Sequence, residues 1–427
     1  MKIAILTTFQ EFNPGYSLTG IVSDQAEMLR KYGHDVTVYV CEQFNPKNPL
    51  KTVGDQFGWP EVKIEQKIPF GHLKDWQSQA NLDDGARQLA EKTKQFLINE
   101  CQEYDFIFTH DFVFVGWYLP YALGVRAAAP HMKRPRWAHW IHSVPSAMRD
   151  WWNIRQYQGP HKLIFPNRAN QINVAENFRG ELKDVVVIPH IKDARTWWEF
   201  GDDTYEILNA HPTIMHSDVL CVYPASSDRL SSKRVDVVME IIAHIKGQFN
   251  QIKVAFVCAN QWATGRQRKE DLQTFYRKAN ALGLDKDEFI FTSEVAKKFE
   301  LGLSKRTLRE LFLLPNLFIF PTREESFGLV VPEAALSGAY CVYNRSLSMQ
   351  MEITGMNGIY FHFGSFEHDF NPPDEHAYYK DVAKIILGRM KRNETIQTKT
   401  YMRKRYNYDY LYTQYYEPML HEGVTWA

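Results

Sequence analysis

Glu325 and Glu333 stand eight residues apart in the run Glu325-Ser326-Phe327-Gly328-Leu329-Val330-Val331-Pro332-Glu333. The apolar stretch 317–322 ahead of it reads as a buried strand, and the turn that follows ends at Gly328. Pro332 then marks a helix start, because a first-turn residue has no intrahelical use for its N–H. The free N–H groups of Gly328, Leu329 and Val330 would point at a ligand, and a helix N-terminus favours an anion such as a phosphate. Two carboxylates beside an anion site suit a sugar nucleotide. The amides take the diphosphate, and each Glu accepts hydrogen bonds from hydroxyls at one end of the ligand. Taken alone, the pair is better read as an electrostatic helix cap, Glu325, and a solvated helix residue, Glu333.

Other chemistry is less promising. The triplet Asp285-Lys286-Asp287 has the form of a divalent-metal motif, but it falls in a turn between a helix and a strand, where acids are ordinary. The histidines show no recurring ligand spacing, so no catalytic metal and no cofactor is expected. Five cysteines, an odd number with no Cys-x-x-Cys pair, exclude a disulfide framework and a structural zinc knuckle.

Short apolar runs must position these residues. In the first half they are 2–9, 35–41, 104–110, 136–142, 162–167 and 184–190. In the second half they are 219–225, 253–260, 288–295, 317–322 and 340–344. Helical periodicity lies between them at 22–33, 235–245 and 269–283, after a first loop containing Asn13, Pro14, Gly15 and Gly20. Strands joined by helices lie parallel, which predicts two doubly wound α/β domains. A length of 427 residues agrees with two domains. The polar stretch 192–216 is the expected linker. In open α/β sheets ligands bind beyond the carboxyl ends of the strands, so the expected active site is a cleft between the two sheets.

The run from Glu325 to Glu333 resembles the Glu-x7-Glu motif of retaining glycosyltransferases of the GT-B fold, specifically family 4. The stretch 222–242 resembles that family's strand, then Arg, then Lys-Gly-x-Asp opening a helix, with Arg234 where Gly is commoner. The resemblance covers most of the chain, strongly over 219–360 and loosely over 1–190. It implies two Rossmann-like domains facing across a cleft. An acceptor-side domain is expected over 1–195, with 405–427 packing back on it, and a nucleotide-sugar domain over 196–404. It implies transfer with retention, without metal, from a nucleotide-diphosphate sugar.

Residue by residue, the resemblance makes Arg229 and Lys233 the cations on the diphosphate and Asp236 the helix-start acid. Glu325 orients the sugar hydroxyls, Glu333 takes the ribose, and Ser326, Phe327, Gly328, Leu329 and Val330 complete the donor site with Gly20. His142 becomes the histidine beside the reacting sugar, His110 and Asp111 lie nearer the acceptor, and His139 is structural. Base readout is expected near Asn260 and 292–295.

The formal net charge is zero, which argues against a uniformly cationic nucleic-acid or membrane binder. A local asymmetry remains. From Arg126 to Lys183 ten basic residues face three acidic ones, interleaved with Trp137, Trp140, Trp151, Trp152 and Tyr157, and a second basic run follows at 389–405. The expected acceptor is therefore anionic: a glycan polymer, a lipid-linked sugar, or DNA. The fragment 141–149 resembles phage enzymes that glucosylate hydroxymethylated cytosine, which keeps a DNA-modifying transferase as an alternative. Ordinary surface cations over buried Trp side chains account for the segment equally well. A non-catalytic nucleotide-sugar or polymer binder is the alternative of another class. No secretion signal or membrane span is visible, so a soluble cytoplasmic protein is expected, with a peripheral place at a membrane surface or an intracellular one in a phage-infected host as the alternatives.

Overall fold

A computed structural model describes residues 1–421 except 14, 48–49, 51–53, 72–73, 116, 144–148, 249–251 and 262–268. Part of the 139–146 motif, most of 141–149 and the last residues of the tail thus lie outside the described residues. The chain divides into two compact units, Met1–Asp193 with Tyr406–Ala427, and Ala194–Arg405.

The first unit holds β1 (Lys2–Leu6), β2 (Asp35–Cys41), β3 (Lys63–Ile68), β4 (Phe106–His110), β5 (Arg136–Trp140), β6 (His161–Phe165) and β7 (Val185–Val187). They form one sheet in the order β3-β2-β1-β4-β5-β6-β7, and every pairing is parallel. The order reverses between β1 and β4. Both faces are covered, which is why the strands read as near-continuous apolar runs. Along β5 the side chains divide by the period of two: Trp137 enters the core on one face, while Ala138 and Trp140 enter the core on the other.

The tail belongs to this second core. Tyr412 stacks on Tyr32 with ring centroids 3.6 Å apart, its hydroxyl lies 2.8 Å from His34 Nε2, and the Tyr408 hydroxyl donates to Asp24. Tyr408, Leu411, Tyr416, Met419 and Leu420 are all buried.

The second unit holds β8 (Val219–Ser226), β9 (Val254–Gln261), β10 (Phe289–Phe291), β11 (Leu317–Phe320), β12 (Tyr340–Asn344) and β13 (Ile359–Phe361). Their order is β10-β9-β8-β11-β12-β13, again parallel throughout, with the reversal between β8 and β11. The fold is therefore α/β with two Rossmann-like, doubly wound domains.

Three expectations need correction. The first helix runs Ser17–Lys31, five residues earlier than its apolar periodicity suggested, so Gly20 sits in its first turn and not in the preceding loop. The stretch 192–216 is no simple linker, since it forms the helices Ala194–Trp197, Asp202–Ala210 and Thr213–His216 of the second unit. The run 288–295 is strand only over Phe289–Phe291, and Thr292–Glu294 is a helical turn.

Candidate active site

In the second unit a pocket of about 600 Å³ opens where the strand order reverses. Its walls come from the end of β8 and the turn after it (Ser226, Arg229, Lys233), from the end of β9 (Asn260, Gln261), and from Phe320 at the end of β11 with Glu325–Val330 beyond it. The volume is that of a small-molecule site, and the reversal point of an open α/β sheet is where such ligands bind.

Arg229 and Lys233 reach the pocket from one local turn. The Lys233 amide donates to the Arg229 carbonyl at 2.8 Å, and the Tyr223 hydroxyl donates to the Lys233 carbonyl at 3.0 Å. The Arg323 amide donates to the Ser232 carbonyl, so the loops after β8 and β11 hold each other. The exposed Arg229 guanidinium makes no hydrogen bond or ion pair with the described residues. The Lys233 ammonium is buried over the Phe320 ring and paired with the Glu325 carboxylate.

Gly328 has φ +73°, and a Cβ there would lie 3.1 Å from Glu325 Cγ and 3.2 Å from Phe320. Both the backbone turn and the close approach require glycine. No hydrogen bond from the amides of Gly328, Leu329 or Val330 forms among the described residues. Those N–H groups, Arg229 and Lys233 together make a wall suited to a diphosphate.

The remaining donor residues divide. Ser326, Phe327, Leu329 and Val330 line the pocket, and Phe327 and Leu329 are exposed. Glu333 is half-buried further along the helix Val330–Leu336 and is not among the lining residues. Asn260 lines the pocket, but its amide is occupied: Nδ2 donates to Ser227 Oγ and Ser293 Oγ, and Oδ1 accepts from the Ser293 amide. The turn 292–294 does not reach the pocket, whereas Gly302, Leu303 and Leu308 do. Gly302 has φ +105°, and a Cβ there would press on Gln261 at 3.0 Å. The Asp285 carboxylate accepts from the amides of Asp287 and Glu288, the work of a turn cap.

Arg234 occupies the position where the resembling family prefers Gly, and its φ of +54° shows why. Its guanidinium donates to the Phe363 carbonyl at 2.8 Å, the Tyr379 hydroxyl at 2.8 Å and Glu375 at 3.1 Å. Arg234→Gly relieves about 1–2 kcal/mol of backbone strain but leaves the buried Phe363 carbonyl without its donor at about 1–3 kcal/mol, while Tyr379 keeps its bond to the exposed Glu375. The variant is expected to unfold at lower urea than the parent chain; a higher midpoint would show that strain dominates.

The first unit places its candidate residues at its own reversal point. His110 ends β4 and Asp111 follows with φ +44°, accepting from the Tyr16 hydroxyl at 3.3 Å. Burial raises the Asp111 carboxyl, and burial with the Asp111 charge pushes the Tyr16 phenol up to about 12. Burial lowers His142 to about 3, reinforced by His190 stacked at 5.3 Å, and holds His110 well below its ordinary value.

A hydrogen-bond chain fixes the protons. Gln25 Nε2 donates to the Tyr416 hydroxyl, which turns Gln25 Oε1 to His110 Nε2 at 2.8 Å. His110 Nε2 then carries its proton, so its Nδ1 accepts from His142 Nε2 at 3.0 Å. His142 Nδ1 is left as a buried lone pair with no hydrogen-bond partner among the described residues. A neutral imidazole so arranged can accept a hydrogen bond from a hydroxyl.

His139 belongs to a separate column on the other face of the sheet. His161 Nε2 donates to the Gln158 carbonyl at 3.1 Å, so its Nδ1 accepts from His139 Nε2, and Thr109 Oγ1 donates to His139 Nδ1 at 2.9 Å. Every ring nitrogen of this pair is satisfied. Gly20 is exposed in its helix, and a Cβ there would meet nothing within 4 Å, so no local contact demands glycine.

The cationic, aromatic segment is corrected by burial. Trp137, Trp140, Trp151, Trp152 and Tyr157 are all core residues, so they offer no stacking face to a base. Arg134 pairs with Asp105, Arg149 with Asp75, Arg155 with Glu181, and Lys162 donates to the Lys183 carbonyl. In the second basic run, Arg403 is buried and donates to the carbonyls of Ile214, Met215 and Ser217. No helix among the described residues is long and apolar enough to cross a membrane.

No protein-family model and no curated sequence matches the chain. Among solved structures, Anabaena Alr3699/HepE in complex with UDP and glucose aligns at 17% identity over 98% of this chain and 99% of its own, with a TM-score of 0.35. A glycosyltransferase from Rickettsia africae aligns at 11% identity over 99% of both chains, with a TM-score of 0.38. WaaG, a glycosyltransferase involved in lipopolysaccharide biosynthesis, aligns at 15% identity over 99% of this chain and 100% of its own, with a TM-score of 0.32. Whole-chain likeness at such scores says nothing of function. The two sheets themselves define the fold.

Proposed function

We propose that this chain is a glycosyltransferase that binds a nucleotide-diphosphate sugar in the pocket of its second unit and transfers the sugar to a hydroxyl acceptor. The observation that carries the reading is the convergence of Arg229, Lys233, Glu325 and the free amides of Gly328–Val330 on one pocket at the reversal point of the sheet. Arg229, Lys233 and the amides hold the charge that develops on the leaving diphosphate, and Glu325 orients the sugar hydroxyls. His142, whose Nδ1 has no hydrogen-bond partner among the described residues, keeps its role beside the sugar from the resemblance alone. The resemblance of the 325–333 run supports retention. The acceptor's O–H attacks the anomeric carbon, the bond to the diphosphate oxygen breaks on the same face, and that oxygen takes the proton. On this reading no metal takes part, because the two cations and the amides supply the charge. Glu333 and Gly20 keep only the support of the resemblance. Six of the ten cations of 126–183 are engaged with acidic or carbonyl partners and the Trp side chains are buried, so an anionic acceptor keeps only the remaining cations as support.

Thermal denaturation with UDP-, GDP-, ADP- and dTDP-sugars in EDTA tests the reading. A donor at 100 times its dissociation constant adds about 2.7 kcal/mol, a shift of about 5–10 °C for a domain of this size. Lys233→Ala is expected to abolish the shift for the responding donor. No response to any nucleotide sugar would overturn the proposal.

A further inference from the structure

Glu240 and His244 lie one turn apart on the helix Val235–Gly247, and His376 lies on the first turn of the helix Glu375–Lys391 packed against it. Their ligand atoms all fall within 4.8 Å of one another. Glu240 Oε1 is 3.0 Å from His376 Nδ1 and 3.7 Å from His244 Nε2. Zinc bonds of about 2.0–2.1 Å set a tetrahedral ligand–ligand edge of about 3.3–3.4 Å, and the two distances bracket it.

The rings of His244 and His376 meet at 4.4 Å between centroids, inclined by 62°, so their nitrogens converge without the rings stacking. His244 Nε2 is a buried atom with no hydrogen-bond partner among the described residues, 3.7 Å from the Glu240 carboxylate. Spacing of i and i+4 on one helix presents two ligands on one face, and the third arrives from a second helix. Among nearby charges, Glu375 and Asp236 act on Glu240 in the sense that favours a cation, and Lys380 acts on His244 in the opposite sense.

We propose that Glu240, His244 and His376 form a binding site for a divalent transition ion of the zinc type, with solvent filling the fourth position. The ion is structural. It clamps the helix Glu375–Lys391 onto the helix Val235–Gly247, beside the Arg234–Glu375 and Arg234–Tyr379 bonds that anchor the loop carrying Lys233. The proposal stands apart from the donor reading, since it concerns another face of the second unit and its readout needs no sugar.

The full chain, stripped with chelator and dialysed, is titrated with ZnCl2 by calorimetry and with CoCl2 by visible absorption. One equivalent is expected to bind, with the d–d absorption of a four- or five-coordinate cobalt site and a rise in melting temperature. His376→Ala changes an exposed side chain and is expected to leave the melting temperature without metal unaltered. The same variant should lose at least about 100-fold in affinity, beyond the 10–100-fold cost of altering a group that only touches a ligand. Glu240→Gln is expected to weaken binding with the ring nitrogens intact. Absence of stoichiometric binding would overturn the proposal. So would zinc binding that survives His376→Ala, because the ion would then sit elsewhere, as on the His110–His142–His190 stack.

Discussion

The Glu325→Gln variant is expected to bind a nucleoside diphosphate about tenfold more tightly than the parent chain while transferring sugar about 10²–10³-fold more slowly. The opposite signs follow from the Lys233–Glu325 ion pair. Lys233 is one of two cations on the pocket wall, and without ligand its ammonium is held by the Glu325 carboxylate, both side chains being largely buried at 11% and 21% exposure. A diphosphate must therefore share Lys233 with a fixed anion, and it approaches that anion in a setting of reduced screening. Removing the carboxylate charge while keeping its size frees the lysine and deletes a like charge. The gain of tenfold corresponds to about 1.4 kcal/mol, a modest share of one partly buried charge pair.

The same change removes the acceptor that orients the sugar hydroxyls in the transition state, where a single preorganised group is worth about 2.7–4 kcal/mol. Calorimetry with UDP or the nucleotide chosen by the donor screen gives the affinity, and steady-state transfer gives the turnover. Weaker binding in Glu325→Gln would mean that the carboxylate supports the diphosphate wall. Unchanged turnover would remove Glu325 from the reaction. Lys233→Ala serves as the control, because it should lose both binding and turnover.

How much of this site the sequence disclosed depends on where each residue comes from. Glu325, Gly328, Arg229 and Lys233 were readable because each lies within a few residues of a strand end whose apolar run is unmistakable. Gly302, Leu303 and Leu308 were not, because only the packing of segments distant in sequence brings them to the same pocket. The edge strand β3, Lys-Ile-Glu-Gln-Lys-Ile, escaped notice for a physical reason: edges carry charge to discourage further pairing, and this one is mostly exposed. β13 is only three residues long.

The aromatic residues of 126–183 misled in the other direction. Trp137 and Trp140 lie in a strand covered on both faces, so composition alone cannot separate a stacking platform from a core. Gly20 was drawn into a loop by its neighbours Asn13 and Gly15, although one glycine costs a helix only about 1 kcal/mol.

Acid is expected to destabilise the first unit steeply below about pH 6.5, and its buried histidines set the sign. Burial lowers His142 and His161 to about 3 from the ordinary 6.5, and His110 and His139 shift the same way. Between the two values the unfolded chain holds a proton on each ring that the folded chain does not. Stability therefore falls as pH falls through the unfolded value, and the loss is complete only near the folded one. Each such group contributes about 1 kcal/mol over the first pH unit below 6.5 and about 1.4 kcal/mol per unit below that, so His142 and His161 together contribute about 2 kcal/mol between pH 6.5 and 5.5. That is a large fraction of the stability of an ordinary domain.

Tryptophan fluorescence reads the event where it occurs, because Trp137 stacks on His161 at 5.4 Å and Trp140 on His110 at 5.1 Å. Urea unfolding followed at pH 7.5, 6.5 and 5.5 should show a smaller fall in midpoint across the first step and a drop of about 1 M or more across the second, given slopes of about 1–3 kcal/mol per M. His161→Gln removes one titrating ring while keeping an amide able to donate to the Gln158 carbonyl. Its midpoint at pH 7.5 should be lower than that of the parent chain, but its loss between pH 6.5 and 5.5 should be smaller by about 1 kcal/mol. A midpoint that stays level from pH 7.5 to 5.5, or a variant with the parent's full acid sensitivity, would mean that these rings take up protons in the folded state.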